Sequence, residues 1–342
     1  VTGSVRTVLG DIPTPSLGTT LVHEHLHMDC SNLAAAHGYV PDPDPGAFDV
    51  RAAAECRWNP GAHPDNYRFT EHEPVLADLV DFAALGGNAI VDATPVDLGR
   101  DPDALARFSR ESGLHVVMGT GYYLEATHRP FIPAGSEESA SFDLITSEHA
   151  GDGIRPGMIG EIGTSDPPTA GELRSVRGAA RAAIATGLPL SIHLHPWGDN
   201  ADRVIDVVGE TGLGLDRVLL NHLSTAIGHD DRIEGMLATG VSLSFDLCGF
   251  DHSLLGPGRY PPSDDEAMAT IAALLRGPRA SQVMISQDVG VRTRLREYGG
   301  WGYGHALRHL VPLLRSHGAT EADIDLLLVE NPGRFLTLAE PR

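Results

Sequence analysis

Two histidines stand two positions apart in Leu21-Val22-His23-Glu24-His25-Leu26. In an extended strand, residues i and i+2 share a face, so both imidazoles can meet one metal ion while Glu24 turns away. The same kinds of side chain close other apolar runs: Glu161 after Met158-Ile159-Gly160, His193 after Leu190-Ser191-Ile192, His222 after Leu219-Leu220-Asn221, and Asp288 after Ile285-Ser286-Gln287. Four imidazoles and two carboxylates suit zinc or a similar divalent ion. Six donors exceed one tetrahedral site and suit two ions with Glu161 between them. A pair of ions about 3.5–4 Å apart can hold a hydroxide and polarise a substrate oxygen, and Asp288 can bind one ion and accept the hydroxide proton as a general base. Taken singly, a histidine at a strand end is more often a hydrogen-bonded rim residue, and a carboxylate there is more often a helix cap or an ion-pair partner. The six together carry the argument.

Other histidines compete: His27, His115, His195, His252, His305 and His309. His195 shares a strand face with His193. His193 is preferred because it ends the apolar run, whereas His195 precedes Pro196 and already lies in a loop.

These residues need a scaffold, and the chain alternates in a way that supplies one. Residues 1–17 read as a short two-strand lead-in with a Gly10-Asp11 turn, followed by a first strand over about 19–22. Eight short apolar segments follow this type in all: the first strand, then about 88–92, 114–118, 158–162, 188–193, 218–222, 241–245 and 283–286. Helical patterns separate them over about 72–85, 101–112, 137–150, 170–186, 199–210, 229–239 and 264–276, with two more over about 303–317 and 321–329. Asp101 and Pro102 form an N-cap and first-turn pair. Strand–helix alternation implies a parallel sheet, and eight units imply an α/β fold of the (β/α)8 (TIM) barrel type, with residues 1–342 as a single metal-dependent hydrolase domain. An open doubly wound sheet is the runner-up, but no GxGxxG follows the first strand. In a barrel, chemistry sits at the C-terminal strand ends, where the six residues fall. Residues 29–70 form a long loop after strand one. Its Pro41-Asp42-Pro43-Asp44-Pro45-Gly46 run forbids helix there; a loop of this length is usually a lid or a binding loop, with a disordered insertion as the plainer alternative, against which Phe48, Trp58, Tyr67 and Phe69 could pin it down.

Composition narrows the class. With 342 residues and 42% hydrophobic content, the chain can bury one large core. A net charge of −21 argues against nucleic-acid and anionic-membrane partners. Three cysteines with no CxxC pattern point to a reduced, cytoplasmic protein. No apolar run of about 18 residues and no basic-then-apolar start are present, so neither a membrane span nor a secretion signal is expected. All 25 Lys/Arg positions are arginine, which excludes any chemistry that needs a lysine amine.

The motif Leu17-Gly18-x-Thr20-Leu21-x-His23-Glu24-His25-Leu26 resembles the opening of the phosphotriesterase-like branch of the amidohydrolase superfamily. The likeness continues through Val91-Asp92-x-Thr94, Gly99-Arg100-Asp101, Gly119-x-Gly121-x-Tyr123, Ile192-His193, Asn221-His222 and Ser286-Gln287-Asp288, and closes with Glu330-Asn331-Pro332-x-Arg334-Phe335-Leu336. It implies a binuclear metal hydrolase, usually zinc with manganese or cobalt as alternatives, whose ligands fall on His23, His25, His193, His222 and Asp288. The best-known members bridge their metals with a carbamylated lysine on strand four. Here Gly160-Glu161-Ile162-Gly163 stands in that place, so Glu161 is the expected bridge and no carbon dioxide is needed. This version, with Thr293-Arg294-Leu295-x-x-Tyr298-Gly299-Gly300-x-Gly302-Tyr303-x-His305, is more similar to the phosphotriesterase-related and resiniferatoxin-binding-protein group. The animal relative in that group hydrolyses an N-acyl amide of a small sulfonate. A homodimer is a further family expectation.

The resulting expectation is a hydrolase of an amide or ester (including lactone) bond in a small anionic metabolite. Arg294, in the loop after strand eight with Arg292 and Arg296, is expected to grip the anion, and Tyr123 either to donate to the substrate carbonyl or to pack under the lid. For each arginine, ion pairing within an acidic protein is the plainer alternative. A phosphoester hydrolase using the same site is the second reading. A non-catalytic ligand-binding protein is the third, and a candidate proton shuttle at Asp288 speaks against it.

Overall fold

A computed structural model of the chain describes residues 3–36, 45–255 and 258–342. Eight parallel strands form the barrel: β3 (Thr20–Glu24), β6 (Ala89–Asp92), β7 (His115–Met118), β8 (Ile159–Gly163), β9 (Leu190–His193), β10 (Val218–Asn221), β11 (Ser242–Phe245) and β12 (Val283–Ile285). Nearly all their residues are buried, as parallel strands covered on both faces must be. The ladders run in two stretches, β3-β6-β7 and β8-β9-β10-β11-β12. Separate backbone bonds close the two seams. Across β7–β8, Gly157 N donates to Met118 O at 2.9 Å; across β12–β3, Asp288 N donates to His23 O at 3.2 Å.

The helices pack outside this wall. Asp101 caps α4 (Pro102–Ser112) by accepting from Asp103 N and Ala104 N, and Gly113 ends it at φ 77°. Thr169 and Glu172 form a capping box on α6 (Ala170–Thr186). Inside the barrel, Val22, Val91, Val117, Leu219 and Met284 pack together. Val5 of β1 (Ser4–Thr7) and Phe335 and Leu336 of α12 (Asn331–Leu336) join that cluster and plug the end from which the strands start. The lead-in is a hairpin, as expected, with β1 paired antiparallel to β2 (Gly10–Pro13); its turn lies at Val8-Leu9, and Gly10 opens the second strand.

Two features depart from the sequence reading. The segment 29–70 holds more regular structure than a plain loop. It contains α1 (Ser31–Ala36), α2 (Val50–Trp58) and a two-residue pairing of β4 (Met28–Asp29) with β5 (Arg68–Phe69). Asp49 caps α2, and Arg57 in its last turn donates to Gly299 O at 2.7 Å. Prolines forbid helix only locally; Pro41 to Asp44 lie outside the described residues, while Pro45 and Gly46 are not helical. The helices expected over 303–317 and 321–329 each include a π-helical stretch, Ala306–Leu310 and Leu326–Glu330.

The β12–β3 seam rests on Glu24. Its carboxylate accepts from Ser286 Oγ, Gln287 N and Val289 N, all at 2.8 Å. Burial pushes its carboxyl up to about 7 against the pull of those three donors. The expected turning away of Glu24 from its histidine neighbours is therefore a turn toward the strand that carries Asp288. Glu24→Ala leaves three buried donors without an acceptor and is expected to lower the unfolding free energy by about 3 kcal/mol in a urea titration. Glu24→Gln, which keeps one acceptor, should lose less than half of that. A change within about 0.5 kcal/mol for the alanine variant would show that the seam does not depend on this side chain.

Candidate metal centre

His23, His25, Glu161, His193, His222 and Asp288 converge at the C-terminal end of the barrel, and His23, His25, Glu161, His193 and His222 are all buried. Glu161 is central. Its Oε2 lies 3.6 Å from His23 Nε2, 3.2 Å from His193 Nδ1 and 3.4 Å from His222 Nε2, while its Oε1 lies 3.5 Å from His25 Nε2. The two carboxylate oxygens thus face different imidazoles. Asp288 Oδ1 is 3.2 Å from His25 Nε2 and 3.7 Å from His23 Nε2.

The backbone positions these groups locally. The β3–β6 register is irregular between Leu21 and Glu24, and the β8–β9 register between Ile159 and Ile162. His222 and Asp288 both adopt left-handed backbone, at φ 66° and 51°. That conformation costs a non-glycine residue on the order of 1 kcal/mol. Neighbours hold it in place: Asp246 accepts from His222 N at 2.9 Å, and His23 O accepts from Asp288 N at 3.2 Å.

Three carboxylates around the cluster were not singled out by sequence reasoning. Asp246, just past β11, lies 2.9 Å from His222 Nδ1. Asp92, at the end of β6, accepts from Leu26 N and Thr94 Oγ1, and Thr94 Oγ1 is 2.9 Å from His25 Nδ1. Asp97 accepts from Tyr123 N at 3.0 Å and Thr127 Oγ1 at 2.7 Å. A signal existed for Asp246, since it follows strand seven as the six candidates follow theirs.

The electrostatics favour positive charge at this spot. Burial opposes a charged ring at His25, but the Asp288 carboxylate, with Glu161 and Asp92, overrides it and raises the ring to about 9. Burial likewise opposes charge at His222, and Asp246 holds it well above the usual range. Burial and the His222 charge push His193 down to about 4. Glu161, despite burial, stays well below the carboxylate range because of His23, His193 and His222.

Whether the residues fit metal ions can be tested on unsatisfied atoms. Both ring nitrogens of His23 are buried with no hydrogen-bond partner, an arrangement that is costly unless something occupies it. His222 Nε2 and His193 Nδ1 face each other at 2.7 Å. Two sets of donors lie within 4.8 Å of one another: His23, Glu161 and His222; and His23, His25 and Asp288. Buried imidazole nitrogens and carboxylates gathered this closely fit divalent cations, which would take the place of the ring protons.

The two expected substrate contacts fare differently. Tyr123 lines the cavity above the cluster, with its hydroxyl 3.0 Å from His193 Nδ1. Arg294 is not placed to grip an anion. Its guanidinium is buried, donates to Gly249 O and Cys248 O at 2.6 and 2.9 Å and to Gln287 O, and lies 4.1 Å from the Phe250 ring centre. A buried cation takes the nearest carbonyls, and here they are backbone. Arg292 pairs with Glu71 and Asp65, and Arg296 with Asp81, as the ion-pairing alternative anticipated. Among the competing histidines, His195 and His252 line the cavity, while His27 bonds Gly99 O outside it, His305 lies tilted against Trp301 and His309 meets the same ring edge-on.

The sequence profile of the phosphotriesterase family matches residues 3–336. An N-acetyltaurine hydrolase from Danio rerio is 33% identical over 98% of both chains, and one from Homo sapiens is 32% identical over 98% of this chain and 99% of its own. Among solved structures, a resiniferatoxin-binding protein from Rhodobacter sphaeroides superposes with a TM-score of 0.90 at 36% identity, covering 98% of this chain and 95% of its own. A phosphotriesterase homology protein from Escherichia coli, with phosphate in its active site, superposes with a TM-score of 0.75 at 27% identity, covering 94% and 99%.

Two substitutions test the centre. Glu161→Gln should lower bound metal measured by elemental analysis, and full occupancy in that variant would remove Glu161 as the bridge. Asp246→Asn should weaken metal affinity roughly 10–100-fold in a chelator competition, the range for losing the carboxylate behind a ligating histidine.

Proposed function

Since the chain belongs to the phosphotriesterase family and is a metal-dependent hydrolase, we propose that it cleaves an amide or ester (including lactone) bond in a small anionic metabolite, with N-acyl amides of amino or sulfonic acids first. The observation that carries this reading is the full-length likeness, above 30% identity, to hydrolases named for N-acetyltaurine, combined with a Glu161-centred cluster opening into a cavity. His23, His25 and Asp288 would hold one ion and His193 and His222 the other, with Glu161 shared between them. Two divalent ions, zinc by preference with manganese or cobalt as alternatives, would supply an activated water and polarisation of the scissile carbonyl.

The protein's own residues do the rest. Asp288 is the cluster member most open to the cavity, its side chain 18% exposed. It is placed to take a proton from the attacking water and return it to the leaving group. Burial holds the Tyr123 phenol well above its usual range, so it stays a neutral donor able to hydrogen-bond a carbonyl oxygen. Asp92 and Thr94 hold the far nitrogen of His25, and Asp246 that of His222, so both rings keep one orientation.

A phosphoester hydrolase is the second reading, favoured by the phosphate in the active site of the Escherichia coli relative. A purely binding role, suggested by the name of the Rhodobacter sphaeroides relative, uses Asp288 as a ligand but leaves it no proton to shuttle. We place the protein in the cytoplasm as one catalytic domain, since Cys30, Cys56 and Cys248 are all buried free thiols. No helix among the described residues is long and apolar enough to cross a membrane.

The deciding experiment is turnover of zinc- or manganese-reconstituted protein on N-acyl amino and sulfonic acids, lactones and phosphoesters, with a chelated control. Chelator-sensitive cleavage of acyl compounds is expected. Cleavage of phosphoesters alone would keep the site and overturn the bond. Asp288→Asn should retain metal while kcat falls about 100-fold or more, within the range general acid–base groups contribute. Near-wild-type turnover would remove its assigned role.

A further inference from the structure

Tyr123 lies in the loop after β7, outside any strand, yet its peptide is held from three sides. Its N–H donates to both carboxylate oxygens of Asp97, at 3.0 and 3.1 Å, and its carbonyl accepts from His128 Nε2 at 3.0 Å. Asp97 belongs to the short turn Val96–Leu98 after β6. Gly163, the last residue of β8, supplies the third side: a Cβ added there would overlap the Tyr123 carbonyl and Leu124 N. The same loop runs along β8, since Gly160 N donates to Thr120 O at 2.6 Å and Gly163 N to Tyr122 O at 3.2 Å.

This hold bears on the cluster. Tyr123 Oη lies 3.0 Å from His193 Nδ1, the atom that also faces Glu161 Oε2 at 3.2 Å. A phenol swings on two side-chain torsions from its Cα, so its hydroxyl is fixed only as well as its backbone is. Glu161 and Gly163 share β8, so the Gly163 contact sets the phenol relative to the carboxylate at the middle of the cluster. Asp97 is an unfavourable residue to keep here for packing alone. It is buried, its carboxylate takes neutral donors, Tyr123 N and Thr127 Oγ1, and burial raises its carboxyl against their pull. An apolar side chain would escape that desolvation but leave the Tyr123 N–H buried and unpaired.

We infer that Asp97 and Gly163 are positioning residues for the reaction: they fix the Tyr123 backbone, and through it the place of the phenol hydroxyl over the Glu161-centred cluster. This rests on the donor role given to Tyr123 above and adds what aims it. Neither residue is among the described lining of the cavity, so each acts through Tyr123 and not on the substrate. A donor for developing charge must stand in place before the bond breaks, and a misplacement of about 1 Å can remove roughly 100-fold of the rate.

The test is a double-mutant cycle on metal-loaded protein, read on whichever bond class wild type cleaves, so that loss of the amide reading does not decide it. Tyr123→Phe is expected to lower kcat roughly 100-fold, the scale for removing one preorganised donor. Asp97→Ala and Gly163→Ala should each lower kcat roughly 10–100-fold alone, yet cost less than about 2-fold when Tyr123 is already phenylalanine. Asp97→Asn, which keeps one acceptor for Tyr123 N, should recover part of the loss. If Gly163→Ala does not fold, the two Asp97 variants complete the cycle. Equal losses in both backgrounds, or a loss confined to KM, overturn the inference. An unchanged kcat in Tyr123→Phe removes the donor role and the positioning role with it. A second readout needs no turnover: magnetic resonance of protein isotopically labelled at tyrosine Cζ. The Tyr123 signal, identified by its absence from Tyr123→Phe, should shift or broaden in Asp97→Ala and Gly163→Ala and move back in Asp97→Asn. A signal unmoved by both substitutions overturns the inference.

Discussion

One buried carboxylate facing four imidazoles is the constraint on which the rest of the structure depends. Glu161 cannot sit within 3.2–3.6 Å of His23, His25, His193 and His222 unless positive charge is present among them. The barrel solves the geometric half of that problem by bringing the ends of β3, β8, β9 and β10 to one point. The outer carboxylates solve the orientational half, since Asp246 and the Asp92–Thr94 pair each fix the far nitrogen of one ring. The remaining electrostatic demand is what makes the site a place for cations.

Much of this is legible in the sequence alone. The alternation of apolar runs and helical periods marked all eight barrel strands to within a few residues, because buried parallel strands must be nearly continuous apolar runs. Asp101-Pro102 and the Gly-terminated helices were readable because caps are local chemistry. The six clustered residues were readable because strand ends are predictable and their donor types are distinctive. Asp246 and Asp92 were less visible: their work is to touch another side chain, and no spacing in the chain encodes that contact. Arg294 misled for the opposite reason. Its place in the chain lies beside the site, yet its guanidinium turns inward to three carbonyls that only the folded loop brings together. The helices within 29–70 were hidden by a proline-rich run that governs only its own few residues.

The division of labour is clear in the molecule. Strands and their immediate ends carry the candidate metal centre, while the loops that follow the strands, those after β3, β6, β7, β9 and β11 among them, carry the cavity walls. Loops tolerate change that strands do not. Such a design lets one metal centre serve different bonds as its walls vary, in keeping with relatives named for an amide, for organophosphorus compounds and for a bound toxin.

Glu24 gives this arrangement a further property. The amides it holds, Gln287 and Val289, flank Asp288, and the same carboxylate closes the barrel's last seam. Opening of that seam and displacement of Asp288 are therefore one motion. The exchange of those two amide protons with solvent reports both at once, so a spectroscopist watching a pair of backbone signals could follow the readiness of the site without any substrate at all.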